Sequence, residues 1–220
     1  NVAIGYQAGD AITTGSENST LGYESAGALT VGIKNTALGA YALRVDTKGS
    51  QSVAVGHQAL AAQNFTSETA AYNVAVGANA GVSVTTGTFN TLVGGLAGDA
   101  LTVGEQNIAI GYAALTSDTK GSKSIAIGES ALYAQNFSSA TDTYNTAVGE
   151  NAGLTVTTGV KNNLFGGLAG DALTDADFNV AIGYTALSND TLGSRSTAVG
   201  HATLSQQNYD GDAHNIAIGH

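Results

Sequence analysis

The residues best suited to chemistry in this chain are aromatic rings beside carboxylates and amides, and they come in three matching clusters. The first runs from Gln63-Asn64-Phe65 to Tyr72 and includes Glu68. The second runs from Gln135-Asn136-Phe137 to Tyr144 and includes Asp142. The third runs from Gln207-Asn208-Tyr209 to His214 and includes Asp210 and Asp212. A flat ring flanked by such groups holds a sugar well: the ring packs on the sugar's apolar side, and the amides and carboxylates take its hydroxyls. Phe65, Glu68, Tyr72, Phe137, Asp142, Tyr144, Tyr209, Asp210 and Asp212 are therefore the candidate ligand-binding residues. A second reading stays open beside it, in which Phe65, Phe137 and Tyr209 fold back to plug a wider turn of the chain.

Other chemistry is poorly supplied. The four histidines, His57, His201, His214 and His220, have no cysteine to partner them, so a metal site is not expected. The pairs Asp175/Asp177 and Asp210/Asp212 lack the glycine-and-acid spacing of a calcium loop. No Ser/His/Asp set, phosphate loop or dinucleotide fingerprint is present. The expectation is a protein without catalytic residues, cofactor or metal. With no cysteine, disulfides are excluded. Net charge is −10, and the seven basic residues, Lys34, Arg44, Lys48, Lys120, Lys123, Lys161 and Arg195, are scattered along the sequence and are read as forming no stripe. Nucleic acid is therefore not an expected partner, because phosphate contacts need clustered cations. No apolar run approaches the ~20 residues of a membrane span, so no membrane insertion is expected in this segment.

The elements that must hold the clusters are short and periodic. A small apolar block ending in glycine recurs at Gly5, Gly22, Gly39, Gly56, Gly77, Gly94, Gly111, Gly128, Gly149, Gly166, Gly183, Gly200 and Gly219. The steps are 17, 17, 17, 21, twice over, and then 17, 17, 17, 19. A period this short predicts a solenoid whose turns pack on their neighbours. The four-step unit divides the chain into superrepeats 1–72, 73–144 and 145–214, with 215–220 beginning a further one. The clusters above occupy the long fourth rung of each, on one edge.

Counting from the marked glycine as position zero, each rung reads in columns. Position −1 is Ile, Leu, Val or Phe in all thirteen copies, and position −3 is β-branched in eleven. Position −2 is Ala in ten. Alternation puts the large residues on one face of a strand and the alanines on the other. Both faces are apolar, so both are expected to be buried. One lines the coil, and the other meets a partner, with its small residues allowing close approach. Position −4 is Asn in ten copies and Ser at Ser52, Ser124 and Ser196. These asparagines suit either a hydrogen-bonded ladder along the coil or a plain turn. Position +8 is Thr in all nine 17-residue rungs, and position +10 is Gly in eight of them. The pattern predicts two short strands per rung joined by glycine-bearing turns.

The blocks Asn1-Val-Ala-Ile-Gly5-Tyr-Gln-Ala-Gly9 and Asn179-Val-Ala-Ile-Gly183-Tyr-Thr-Ala-Leu187 resemble the head repeats of trimeric autotransporter adhesins. The 17-residue version, ending in Thr-Thr-Gly or Asp-Thr-X-Gly, is similar to repeats of phage tail fibres. The resemblance covers the whole chain. It implies a left-handed parallel β-roll, an intertwined or packed homotrimer, and an extracellular place on a virion or cell surface, where the chain mediates attachment to a cell-surface glycan or other host receptor. Adhesin heads usually have a shorter rung and lack the four-rung unit. Two alternatives are a purely structural filament or sheath and an ice-binding solenoid suggested by the Thr column.

Overall fold

The computed structural model describes all 220 residues, Asn1–His220. It divides into two compact units, Asn1–Asn107 and Ile108–His220, built on one plan. In the first, the strands Val2–Ile4, Ser19–Leu21, Thr36–Leu38, Val53–Val55, Val74–Val76 and Thr91–Val93 pair in parallel, each with the next. In the second, Ile108–Ile110, Ile125–Ile127, Thr146–Val148, Asn163–Phe165, Val180–Ile182, Thr197–Val199 and Ile216–Ile218 do the same. The chain is all-β, a parallel β-solenoid with about 17 residues per turn. Register follows the repeat steps: Val2 lies opposite Ser19, and across a long rung Val53 lies opposite Val74.

Two expectations need correction. The first is the pair of strands per rung. A second strand forms only where a long rung meets the 17-residue rung before it: Gly49–Ser50 pairs Thr69–Ala70, Gly121–Ser122 pairs Thr141–Asp142, and Leu192–Ser194 pairs Asp210–Asp212. In the other rungs the matching residues, such as Gly15–Ser16 and Gly32–Ile33, form no strand, and after each marked glycine the backbone turns through left-handed residues, as at Tyr41 (φ 63°) and Leu43 (φ 50°). Left-handed residues break the extended run that a strand needs. At the marked glycines the requirement is absolute. Gly22 has φ +135°, and a Cβ there would lie 2.6 Å from the Gly39 carbonyl carbon of the next rung.

The second correction concerns which face is inside. The alanine column points inward: Ala37, Ala54, Ala75, Ala109, Ala126, Ala147, Ala181 and Ala198 are fully buried. The large residues at −1 and −3 point out, with Ile4 59% and Ile110 37% exposed. The coil does not take the −1 and −3 side chains of the strand inside. Its interior is filled instead by alanines and by leucines from the turns, among them Leu43, Leu60, Leu115, Leu132 and Leu187. Ile110 is thus not a core residue.

The interior also explains an irregularity in the columns. Where position −2 is Leu92 or Leu164, position +4 is glycine on both sides, namely Gly81 and Gly98, or Gly153 and Gly170. A Cβ at Gly81 would lie 2.6 Å from Leu92 Cδ1, and one at Gly98 would lie 2.8 Å from Leu92 Cδ2. The strand leucine fills the space that turn leucines fill elsewhere, so total volume is kept while its source changes.

The asparagine column is a buried ladder. Asn18 donates from Nδ2 to Gly32 O at 2.8 Å, and its Oδ1 accepts the backbone N–H of Asn35 at 2.9 Å. Asn35 repeats the pattern with Gly49 O and Ser52 N. Each side chain ties its own rung to the next and satisfies backbone groups that would be orphaned inside. The threonine column works similarly at the surface: Thr30 Oγ1 donates to Thr47 O, and Thr174 Oγ1 to Thr191 O, both at 2.9 Å.

Candidate ligand-binding surfaces

The three long rungs begin at a buried polar cluster. Asp46, fully buried, accepts from Gly49 N at 2.9 Å and Lys48 N at 3.3 Å through Oδ1, and from Gln63 Nε2 at 2.5 Å through Oδ2. Gln63 Oε1 in turn accepts from Asn73 Nδ2 at 2.9 Å. The second unit repeats the arrangement with Asp118, Gln135 and Asn145. It recurs once more with Asp190, Gln207 and Asn215. Where serine replaces the ladder asparagine, the shorter Ser52 leaves room for Gln63, whose Nε2 reaches Ser52 Oγ at 3.1 Å. Burial pushes the Asp46 carboxyl above the usual range, against the hydrogen bonds from Gln63, Gly49, Phe65 and Lys48.

This cluster anchors the backbone at the start of each long loop. The Asp46 and Asp118 carboxylates hold the backbone N–H of Phe65 and Phe137, and both rings are buried, 5% and 6% exposed. Neither ring faces solvent. Tyr209 is 52% exposed, and Glu68, Tyr72, Asp142, Tyr144, Asp210 and Asp212 all lie at the surface. The structure therefore separates the nine residues. The two phenylalanines belong to the interior, and the others to the outer edge.

On that edge the structure assembles something the sequence does not announce. The residue at position −5, just before the ladder asparagine, has φ between 50° and 64° in every rung that begins with it, from Glu17 to His214. In the second unit this column reads Lys123, Tyr144, Lys161, Phe178, Arg195, His214. Lys123 Nζ lies 5.2 Å from the Tyr144 ring centroid, and Lys161 Nζ lies 4.9 Å from that of Phe178. Arg195 Cζ lies 4.8 Å from the Phe178 centroid as well. Lys123 also meets Asp142 Oδ2 at 2.5 Å and Tyr144 OH at 3.2 Å, and Arg195 Nε meets Asp212 at 3.0 Å. The Asp142 carboxylate and the Tyr144 hydroxyl raise the Lys123 pKa. Basic residues that are scattered in sequence thus lie on one line, which corrects the reading that they form no stripe. The signal was the rung column itself: Lys123, Lys161 and Arg195 all precede a residue of the Asn/Ser ladder.

The first unit carries two further features. In it Tyr72 and Phe89 stack at 5.5 Å in the same −5 column. Beside the marked glycines, Tyr6 and Tyr23 stack at 5.2 Å, and Tyr41 meets Tyr23 edge-on at 5.3 Å. Arg44 sits 4.9 Å from the Tyr41 centroid and bonds Glu24 at 2.9 Å. These two border an open cleft of about 450 Å³ with Gln7 and Asp10, floored by Gly27. A hydrogen bond to the Glu24 carboxylate raises the Tyr23 hydroxyl pKa. Of the histidines, His201 and His220 stack at 4.8 Å, while His214 Nε2 lies 3.9 Å from Asp212.

The chain matches no protein-family model, no curated protein and no solved structure.

Proposed function

We propose that the chain is a segment of a homotrimeric attachment fibre, displayed outside the cell on a virion or bacterial surface, with a structural and adhesive rather than enzymatic role. The observation that carries this reading is the outward face of the strands. Position −1 is a large apolar residue in every rung, and these side chains lie half-exposed along both units: Ile4, Leu21 and Val76 in the first, Ile110, Phe165 and Ile182 in the second. A monomeric soluble protein rarely exposes so continuous an apolar surface. Three copies packed around one axis bury it on all chains at once, in the closed symmetry typical of homo-oligomers. The left-handed coil belongs to the same proposal and rests on the resemblance to adhesin heads and tail fibres, and so does the 72-residue superrepeat, which rests on the glycine steps.

Burying this face leaves the edge with the long loops as the surface for a host receptor or glycan, through Glu68, Tyr72, Asp142, Tyr144, Tyr209, Asp210 and Asp212. The test is the mass of the protein in solution by light scattering, where a trimer is expected. Ile110→Asp should give a lower-order species that keeps its β circular dichroism, because a charge on this face is tolerated in water and not against another chain. A monomeric parent protein would overturn the reading.

A further inference from the structure

We propose that the −5 column of the second unit is a binding stripe for an extended anionic polysaccharide that carries one carboxylate per two sugars. Cations stand at alternate rungs of this column: Lys123, Lys161 and Arg195, with Tyr144 and Phe178 between them. Alternate rungs are about 10 Å apart, twice the spacing of neighbouring strands. A sugar ring in an extended chain advances by close to one strand spacing, so a polymer running along the stripe brings an acidic group to each cation in turn. A polymer with an acid on every unit would be out of step at the aromatic rungs.

The rings hold the cations ready rather than stacking on the ligand. Phe178 has Lys161 and Arg195 both within 4.9 Å of its centroid. Two long, floppy side chains are thereby ordered before any ligand arrives, which lowers the entropy lost on binding. Phe178 itself stays 40% exposed, offering its edge to the apolar side of a sugar. Acidic neighbours do not close the stripe. Asp142 and Asp212 pair with Lys123 and Arg195 at exposed positions, where such pairs are weak and a ligand carboxylate exchanges for them readily. Asp177 turns its Oδ1 to the Val160 backbone N–H at 2.7 Å. Lys161 makes its contact with Phe178 and has no carboxylate within ion-pair distance.

The inference is independent of the trimer and is read by a different signal. Hyaluronan, with one carboxylate per disaccharide, serves as the probe in affinity electrophoresis and calorimetry with the intact protein. Retardation is expected, growing in steps with oligosaccharide length from two to six sugars. Lys161→Gln with Arg195→Gln should weaken it at least tenfold, and Lys161→Arg should retain it. Glutamine suits this backbone, since Gln51 and Gln106 already occupy the same column with φ 61° and 58°, so loss of binding with unchanged circular dichroism and mass reports the stripe alone. The inference is overturned if hyaluronan is not retarded, if a neutral glucan of equal length binds as well, if the double variant binds like the parent, or if single-stranded DNA or a polymer with an acid on every sugar binds more tightly.

Discussion

The buried relay from Asp118 through Gln135 to Asn145 has a direction, and reversing it at one point should break it. Asp118 Oδ1 accepts from Gly121 N at 2.9 Å, Lys120 N at 3.2 Å and Phe137 N at 3.3 Å, while Oδ2 accepts from Gln135 Nε2 at 2.5 Å. Gln135 Oε1 accepts from Asn145 Nδ2 at 2.8 Å, and that same Nδ2 donates to Gly159 O at 2.7 Å. Asn145 Oδ1 is held by the Asn162 backbone N–H at 2.9 Å, so Asn145 is not free to turn over. In Asp118→Asn the new amide keeps its oxygen on the three backbone donors and turns its nitrogen against Gln135 Nε2. Flipping Gln135 only moves the donor–donor conflict to Asn145. One buried donor remains unsatisfied, at a cost of about 1–3 kcal/mol, which lowers the protection of the Gly121 and Phe137 amides in hydrogen exchange roughly 5- to 150-fold. Gln135→Glu alone places two carboxylates in contact, so they share a proton and the loss grows as pH rises. In the double variant Asp118→Asn with Gln135→Glu the carboxylate has only changed places. The new amide at position 118 donates to the new carboxylate at position 135, which accepts from Asn145 as well. Protection should return to near the parent value, with a coupling of at least ~1 kcal/mol. Additive losses in the double variant would refute the directional relay.

The remaining predictions use other parts of the fold. Leu92→Ala should cost about 2–5 kcal/mol as a buried truncation, and adding Gly98→Ala should recover part of it, because Ala26, with φ 47°, already holds this turn position in the rung of buried Leu29; denaturant midpoints of the single and double variants test this. Phe65→Ala should lower stability by about 3–5 kcal/mol as a core deletion and leave the affinity for hyaluronan unchanged. For Asp46, burial raises the folded-state pKa above the unfolded value of about 3.9. Its favourable contribution is then complete below that value and declines as pH rises toward the folded pKa. Asp46→Asn should remove this downward slope from a plot of stability against pH, and an unchanged slope would contradict it.

How much of this was legible in the sequence follows from what a column can encode. The strand, its parallel register and the glycine corner were readable because their residue types recur in every rung: Ala54, Val55 and Gly56 state the same local rule as Ala126, Ile127 and Gly128. Which face points inward was not readable, because both faces are apolar and hydropathy alone does not choose. The choice is made by the turn leucines, such as Leu60 and Leu132, which already fill the narrow interior. The left-handed backbone at Leu60 and Leu132, φ 50° in both, had no sequence signature, since leucine is not a residue expected there. The phenylalanines and tyrosines of the long loops look alike in sequence. Phe65, Phe137 and Tyr209 all donate their backbone N–H to the matching aspartate, Asp46, Asp118 or Asp190, yet Phe65 and Phe137 are buried and Tyr209 is exposed, so the column alone does not tell which ring goes inside.

The same distinction explains why the −5 column can carry recognition. In the 17-residue rungs residues there bond through the backbone to the rung before, as Lys161 N does to Thr143 O at 2.8 Å and Phe178 N to Val160 O at 3.1 Å. The side chains point outward and meet one another only at the surface, as Lys161 meets Phe178. The one demand on each is tolerance of a positive φ, and Glu, Lys, Gln, Tyr, Phe, Arg and His all meet that demand in this chain. Positions inside the coil are coupled to their neighbours by volume, as Leu92 is to Gly81 and Gly98, so they change only in sets. The outer column is free of that volume constraint, and its residues meet through surface contacts such as Arg195 with Phe178. Its chemistry varies from rung to rung without disturbing the coil, while the rung spacing holds whatever groups it carries at fixed intervals. A ligand that repeats along its own length is the kind such a surface selects.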